Sequence, residues 1–158
     1  MRIPFEDTKV PALRSQDEVK RLLYAIGFTA IAEFSDNTGR KIIRAELGSD
    51  GGSAQFQFEA NIEIIVPKVR DRFNRQEDWI REQSIRMAWR SIHYQVKALH
   101  DSIKLGAIDV AEAFAGNLLL TDKAGQTTKM SDFIKNGMAA GTLTSANMSQ
   151  QFLLEERK

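Results

Sequence analysis

The chain has 158 residues, no cysteine and a formal net charge of +1. This length suits one domain that buries its own core, and the lack of cysteine excludes thiolate catalysis, cysteine-ligated zinc and disulfides, which is typical of a reducing compartment such as the cytoplasm. Charged residues interrupt every apolar run before the ~20 residues that a membrane span requires, and the near-neutral charge leaves only local basic clusters to attract nucleic acid.

The first predicted element is a helix that begins at Ser15. Residues 1–10 alternate charged and apolar side chains, so we expect no signal peptide there and a cytoplasmic location. Ser15 and Glu18 have the spacing of a capping box, in which each side chain accepts from the other residue's backbone amide. Gly27 can adopt the left-handed conformation that closes such a helix. Between them, one apolar face is formed by Val19, Leu22, Leu23 and Ile26.

A β-hairpin is predicted next. Residues 28–34 alternate, with Phe28, Ala30, Ala32 and Phe34 on one side of a strand. Residues 36–39 are turn formers, and residues 41–47 alternate again. Two alternating segments joined by turn residues are typical of antiparallel strands.

The third predicted strand has the clearest alternation in the chain. Residues 48–53 contain three glycines, and we expect them to form a flexible connector rather than a phosphate-binding loop, because no Lys-Ser/Thr pair or helix follows. Apolar residues then alternate with polar ones from residue 56 to residue 66, which predicts one dry face and one wet face. Pro67 is expected to end this strand.

A long helix is predicted over residues 76–106, which contain no proline and have glycine only at their end. Apolar residues recur every three or four positions along it, at Ile85, Trp89, Ile92, Val96, Leu99 and Ile103. This helix should lie across the dry face of the sheet.

The C-terminal part carries weaker signals. Asp109 and Glu112 have the spacing of a second cap, and residues 118–120 indicate a strand or a buried turn. Met130, Phe133 and Ile134 indicate a short helix. The predicted fold is α+β: a helix, a three-stranded antiparallel sheet, a long helix packed on the sheet and a small helical C-terminal part. We expect one domain over residues 1–143, followed by a tail over residues 144–158 that is a surface helix, a partner-binding segment or disordered.

No catalytic motif is present, so we predict no enzyme, no cofactor and no metal site. His93 and His100 lie seven residues apart, or about 10.5 Å along a helix, which is too far for one metal ion. Their ordinary interpretation is as polar residues flanking the apolar stripe. The carboxylates are scattered among basic partners, as on a solvated surface.

A basic cluster at the junction of sheet and long helix is the one feature that indicates a function. Arginines there can bind phosphates, but a solvated helix face with pairs such as Glu77–Arg81 and Glu82–Arg86 gives the same pattern. Trp79 could stack on bases, whereas Trp89 lies in the apolar stripe and is expected in the core. The wet face of the third strand carries no aromatic residue, which argues against an RNA reader on the sheet surface. The candidate nucleic-acid-binding residues are Lys68, Arg70, Arg72, Arg75, Arg81, Arg86 and Arg90.

Several short motifs occur in one order along the chain: the Trp89-Arg90 pair, the Lys97-Ala98-Leu99 step, Gly106, Phe114, the leucines at 118–120 and Gly125-Gln126-Thr127. With these motifs, most of the chain from Ser15 to Leu143 resembles a family of short uncharacterised proteins of phage and prophage genomes. This sequence has Ala107 and Ile108 where the family has isoleucine directly after glycine, and it lacks the family's proline-rich ending. The resemblance implies no catalytic residues.

The order of elements is also similar to that of phage single-strand annealing proteins, which form rings or filaments and hold single strands in a basic groove. Together these resemblances imply a non-enzymatic phage protein, homo-oligomeric, that binds single-stranded nucleic acid in replication or recombination. One alternative is an anti-defence protein that binds a host protein or sequesters a nucleotide signal. Another is a structural or assembly component of the virion.

Overall fold

The computed structural model describes residues 2–36 and 40–142, and the predicted tail over residues 144–158 lies outside them. The chain divides into two compact units, Met1–Phe114 and Ala115–Lys158. Each unit is described below by itself, and the single domain over residues 1–143 stays a prediction.

Helix α1 (Ala12–Ala25) begins three residues before the predicted start. It follows Pro11, and no side chain caps its N-terminus. Ser15 lies inside the helix, fully buried, and its amide donates to the carbonyl of Pro11, so the predicted capping box is wrong. Proline next to the first helical residue already suits a helix start, because its missing N–H would have no intrahelical partner. The predicted apolar face is confirmed by the buried Val19 and Leu23, and Gly27 has a φ of +108°.

Three antiparallel strands form the sheet in the order β1 (Ala30–Ser35), β2 (Lys41–Ser49) and β3 (Gly52–Glu59). Ser49 pairs with Gly52, so only residues 50 and 51 lie outside the ladder, and the predicted flexible connector is a tight turn. The inner face of the sheet is buried and consists of Ile43, Ala45, Phe56 and Phe58. The α+β class with a three-stranded antiparallel sheet is confirmed.

The third strand ends at Glu59, seven residues before the predicted end. Residues Ile62–Ile64 form a short 3-10 turn, and helix α2 (Ile65–Arg72) follows directly. Pro67 therefore lies in the first turn of a helix, where its missing N–H needs no partner, and does not end a strand. The apolar residues at 62, 64 and 66 fit a strand, and those at 62, 65, 66 and 69 fit a helix, which explains the wrong boundary.

Helix α3 (Glu77–Lys104) confirms the predicted long helix and packs against α1 and α2. Trp89 is 1 % exposed and belongs to the core, as predicted. Helix α4 (Val110–Phe114) follows, and the predicted cap is confirmed because the Asp109 carboxylate accepts from the amide of Glu112 at 2.7 Å. The ring of Phe114 packs edge-to-face against Phe28 and Phe58, which joins α4 to the sheet side of the core.

The second unit begins with a 3-10 turn, Ala115–Asn117, and contains two short antiparallel strands, β4 (Leu119–Thr121) and β5 (Thr127–Lys129). Helix α5 (Met130–Ala139) follows β5 without a connecting loop. A strand or a buried turn was predicted at residues 118–120, and the structure has a strand there; the helix that contains Met130 was predicted, whereas β5 was not. Within the described ranges, no helix has the length and apolar character that a membrane span needs.

Candidate functional site

The seven predicted phosphate-binding residues lie on three different elements. Lys68, Arg70 and Arg72 lie on α2, Arg75 lies in the connection between α2 and α3, and Arg81, Arg86 and Arg90 lie on α3. They do not form one continuous positive surface, because four of the arginines are paired with acids of the same chain: Arg70, Arg72, Arg86 and Arg90.

Arg70 and Glu77 form an exposed pair that spans the α2–α3 connection. The Arg70 guanidinium donates to both carboxylate oxygens of Glu77, at 2.5 and 3.3 Å. The hydrogen bond and charge of Glu77 raise the pKa of Arg70, so its charge is fixed. Because both side chains are exposed, the pair contributes little to stability, and an incoming anion can compete for the guanidinium.

Arg72 is held by the N-terminal segment, residues 2–10. Its guanidinium lies 3.3 Å from the carboxylate of Glu6, which is buried and also accepts from the amide of Ile3 at 3.1 Å. The Ile3 amide lowers the pKa of Glu6 most, and Arg72 and Arg2 add to it against the opposing effect of burial. The charge of Arg72 is therefore balanced by a persistently ionised carboxylate.

Arg90 lies at the contact between α1 and α3 and is not part of an open surface. Its side chain is 19 % exposed, its guanidinium donates to Glu18 at 2.9 Å, and it lies 4.9 Å from the centre of the Tyr94 ring. Because its charge is already paired with Glu18, we leave Arg90 out of the proposed site, and its contact with phosphate stays a prediction. Arg86 pairs with Glu82 one helical turn away, as the solvated-face interpretation expected.

His93 shares Glu18 with Arg90. Its Nε2 lies 3.3 Å from the carboxylate, and its buried Nδ1 has no hydrogen-bond partner in the described part of the chain. Burial lowers the pKa of His93 despite the nearby Glu18, so the ring is neutral at pH 7. Burial would raise the pKa of Glu18, but His93, Arg14 and Arg90 together lower it. No cluster of three potential metal ligands occurs among the described residues.

The α2–α3 connection carries an aromatic and cationic pair, Trp79 and Arg75, in which both residues are exposed. Trp79, in the first turn of α3, is 38 % exposed, and the Arg75 guanidinium lies 5.9 Å from the centre of its ring. The ring of Phe73 packs edge-to-face against the indole, with 5.4 Å between the ring centres. Phe73 also packs against the buried side chains of Val69, Ile80 and Met87, which we call the Val69 cluster. Asn74 and Gln76 complete the lining of an open concavity of about 550 Å³. We call these residues, 73–76 with Trp79, the junction site.

Lys68 faces a second concavity of about 500 Å³, shared with Arg72 and Arg2 and with the acidic Asp71. Lys68 and Arg72 are one helical turn apart on α2, so they lie on one side of it. The acids Glu6 and Asp71 leave this concavity with little excess positive charge.

The structure also shows an exposed ring that the sequence-based argument missed. Phe34 is 45 % exposed on the outer face of the sheet and pairs with Ile42, which pairs in turn with Glu59. The Arg44 guanidinium lies 5.3 Å from its ring and donates to Gln57 at 3.0 Å. The outer face of β3 has no aromatic residue, as the sequence indicates, but Phe34 of β1 lies on the same face of the sheet. The pairing of β1 with β2 shows this, whereas the sequence-based prediction concerned β3 alone.

Comparison with protein-family models, with curated proteins and with solved structures gives no match for this chain.

Proposed function

We propose that this chain is a non-enzymatic protein that binds single-stranded nucleic acid through the junction site. The observation that carries the proposal is an exposed indole, Trp79, that lies next to the guanidinium of Arg75 and packs against the partly buried ring of Phe73. The setting in phage replication or recombination follows from the sequence resemblance.

Stacking on an aromatic ring does not depend on base identity, since every base has a flat π face. Each base stacked on an aromatic side chain contributes about 1–3 kcal/mol. Trp79 is rigidly placed because Phe73 packs between it and the Val69 cluster, so little conformational entropy is lost on binding. Arg75 can stack on a neighbouring base or contact a phosphate, because its guanidinium is planar and always charged.

Phosphate contacts come from the cations nearest to the junction in sequence. Arg70 is exposed on α2 and pairs with the exposed Glu77 across the α2–α3 connection, whereas Lys68 faces the concavity that it shares with Arg72. A strand bound at Trp79 brings its phosphates to Arg70 and Arg75, and a phosphate can replace the Glu77 carboxylate at small cost. Two such contacts predict a salt dependence with a log-log slope of about −1.4, at about −0.7 for each contact.

The test is fluorescence anisotropy on a labelled oligothymidylate of about 20 nucleotides, titrated between about 50 and 200 mM salt. Trp79→Ala should weaken binding by about 5- to 150-fold, which corresponds to one stacked base. Arg75→Ala should reduce the salt slope by about 0.7. Intrinsic fluorescence gives a second readout, since stacking quenches the exposed Trp79 while the buried Trp89 keeps its emission.

Tyr24→Ala is the matched control, because Tyr24 is an exposed aromatic on α1, away from the junction site in sequence. Its affinity should equal that of the unmodified protein. Equal affinities for Trp79→Ala and the unmodified protein would contradict the proposal, as would the absence of binding at low salt. A stoichiometric host protein that co-purifies in place of nucleic acid would favour the anti-defence alternative.

A further inference from the structure

Strand β1 presents an open edge of the sheet with an unusual outer face. It lies at the end of the order β1-β2-β3, and no strand of the described ranges pairs with its free side. Proteins normally protect such edges with charged side chains, proline or bulges, because unpaired backbone groups attract another strand. The outer face of β1 carries none of these. It consists of Ala30, Ala32 and Phe34, all exposed.

The opposite edge of the sheet differs. The outer face of β3 is polar, with Gln55, Gln57 and Glu59, and its side chains are tied to each other: Arg44 donates to Gln57, and Gln57 donates to Glu59 at 3.1 Å. Only the β1 edge therefore combines a free backbone with exposed apolar side chains. A concavity of about 220 Å³ lies over the two alanines, walled by Phe34, Arg44, Glu46 and Gln55.

We propose that β1 pairs antiparallel with β1 of a second copy of this chain, which forms a six-stranded sheet across a twofold axis at Ala32. In an antiparallel pair, residues that are directly opposite lie on the same face. A twofold axis at Ala32 places Ala32 opposite Ala32 of the second copy. It also places each Phe34 opposite the other copy's Ala30, so that a large ring lies over a small residue on both sides.

Charge favours this register over the one whose twofold axis lies at Glu33. A twofold axis at Glu33 would place two glutamates directly opposite each other, which destabilises a strand pair. With the axis at Ala32, each Glu33 lies opposite an Ile31 on the inner face and keeps its own contact with Lys20, at 3.2 Å. The interface is isologous, as in most homodimers, and it uses no residue of the junction site.

Sedimentation velocity from about 1 µM to about 1 mM protein tests the proposal without any nucleic acid. The unmodified protein should pass from a 17.8 kDa species to one of twice that mass. Ala32→Lys should weaken dimerisation by at least about tenfold, because two lysines would then lie opposite each other. Ala32→Glu should do the same, and an equimolar mixture of the two variants should dimerise within about threefold of the unmodified protein.

The mixture of Ala32→Lys and Ala32→Glu makes the test specific. The mixture is expected to dimerise only in a register that places position 32 of one copy opposite position 32 of the other. Position 32 is exposed, so neither variant should disturb the fold, and circular dichroism checks this. Ser53→Lys is the control on the β3 edge, because Ser53 is exposed and lies outside the concavity over the two alanines, and it should leave the dimer unchanged. A monomer at every concentration would overturn the proposal, as would a dimer that Ala32→Lys leaves intact or a mixture of the two variants that stays monomeric.

Discussion

The buried amide of Gln83 holds the N-terminal segment onto α3, and Gln83→Leu tests how much this contact contributes. The side chain is 5 % exposed, and its Nε2 donates to the carbonyl of Glu6 at 3.0 Å and to that of Thr8 at 3.1 Å. Leucine fills similar space but donates nothing. Each buried carbonyl left without a donor costs about 1–3 kcal/mol. Because the Thr8 carbonyl is only partly buried and can regain water, we expect the free energy of unfolding to fall by about 2–4 kcal/mol.

Urea unfolding followed by tryptophan fluorescence measures this loss, since Trp89 reports on the core. Hydrogen exchange at the amides of Glu6 and Thr8, which donate to the carbonyls of Ile3 and Phe5, reports separately on the segment itself. Gln95→Leu is the control, because Gln95 is exposed on the same helix, and it should change stability by less than about 0.5 kcal/mol. The reasoning is refuted if Gln83→Leu leaves both the unfolding free energy and the two exchange rates unchanged.

Three further substitutions follow from the same structure. Ser15→Ala should raise the free energy of unfolding by about 1 kcal/mol, because the buried hydroxyl has no hydrogen-bond partner among the described residues and alanine favours the helix; a lower melting temperature would contradict this. His93 has a pKa below its usual 6.5, so the unfolded chain binds the proton more readily and stability should fall as the pH drops below about 6.5, by up to about 1.4 kcal/mol per pH unit. His93→Gln should flatten that part of the pH profile, and an identical profile would exclude His93 as the cause. Trp89→Ala should cost about 3–5 kcal/mol in chemical unfolding, and a loss below 1 kcal/mol would be incompatible with its full burial.

Periodicity was enough to predict the main elements of the first unit. The apolar repeats of α1 and α3 and the alternation in β2 and β3 each depend on residues close in sequence. Such patterns can therefore be recognised in one sequence. The wrong boundaries arose where two periods fit the same residues. The apolar positions around Ile62 suit a strand and a helix, and the following Pro67 is compatible with the end of one and the first turn of the other.

The candidate site was harder to predict because charge neutralisation depends on distant partners. Glu6 and Arg72 are 66 positions apart, and nothing in the local sequence indicates that they meet. The pair between Glu82 and Arg86, one turn apart, was anticipated. Glu77 was expected to pair along the helix with Arg81, and the structure shows that it accepts from Arg70 across the connection, which the sequence did not indicate. The apolar stripe was enough to place Trp89 in the core, whereas the exposure of Trp79 is known only from the structure.

The contacts between α1 and α3 have a consequence for the synthesis of the protein on the ribosome, because the two helices are far apart in sequence. Glu18 and Arg90 are 72 positions apart, and α1 has no other long helix to pack against until α3 is made. At 5–20 residues per second, translation takes about 4–14 s to cover that distance. During this interval the apolar side of α1, with Val19 and Leu23, stays exposed to water and can bind chaperones.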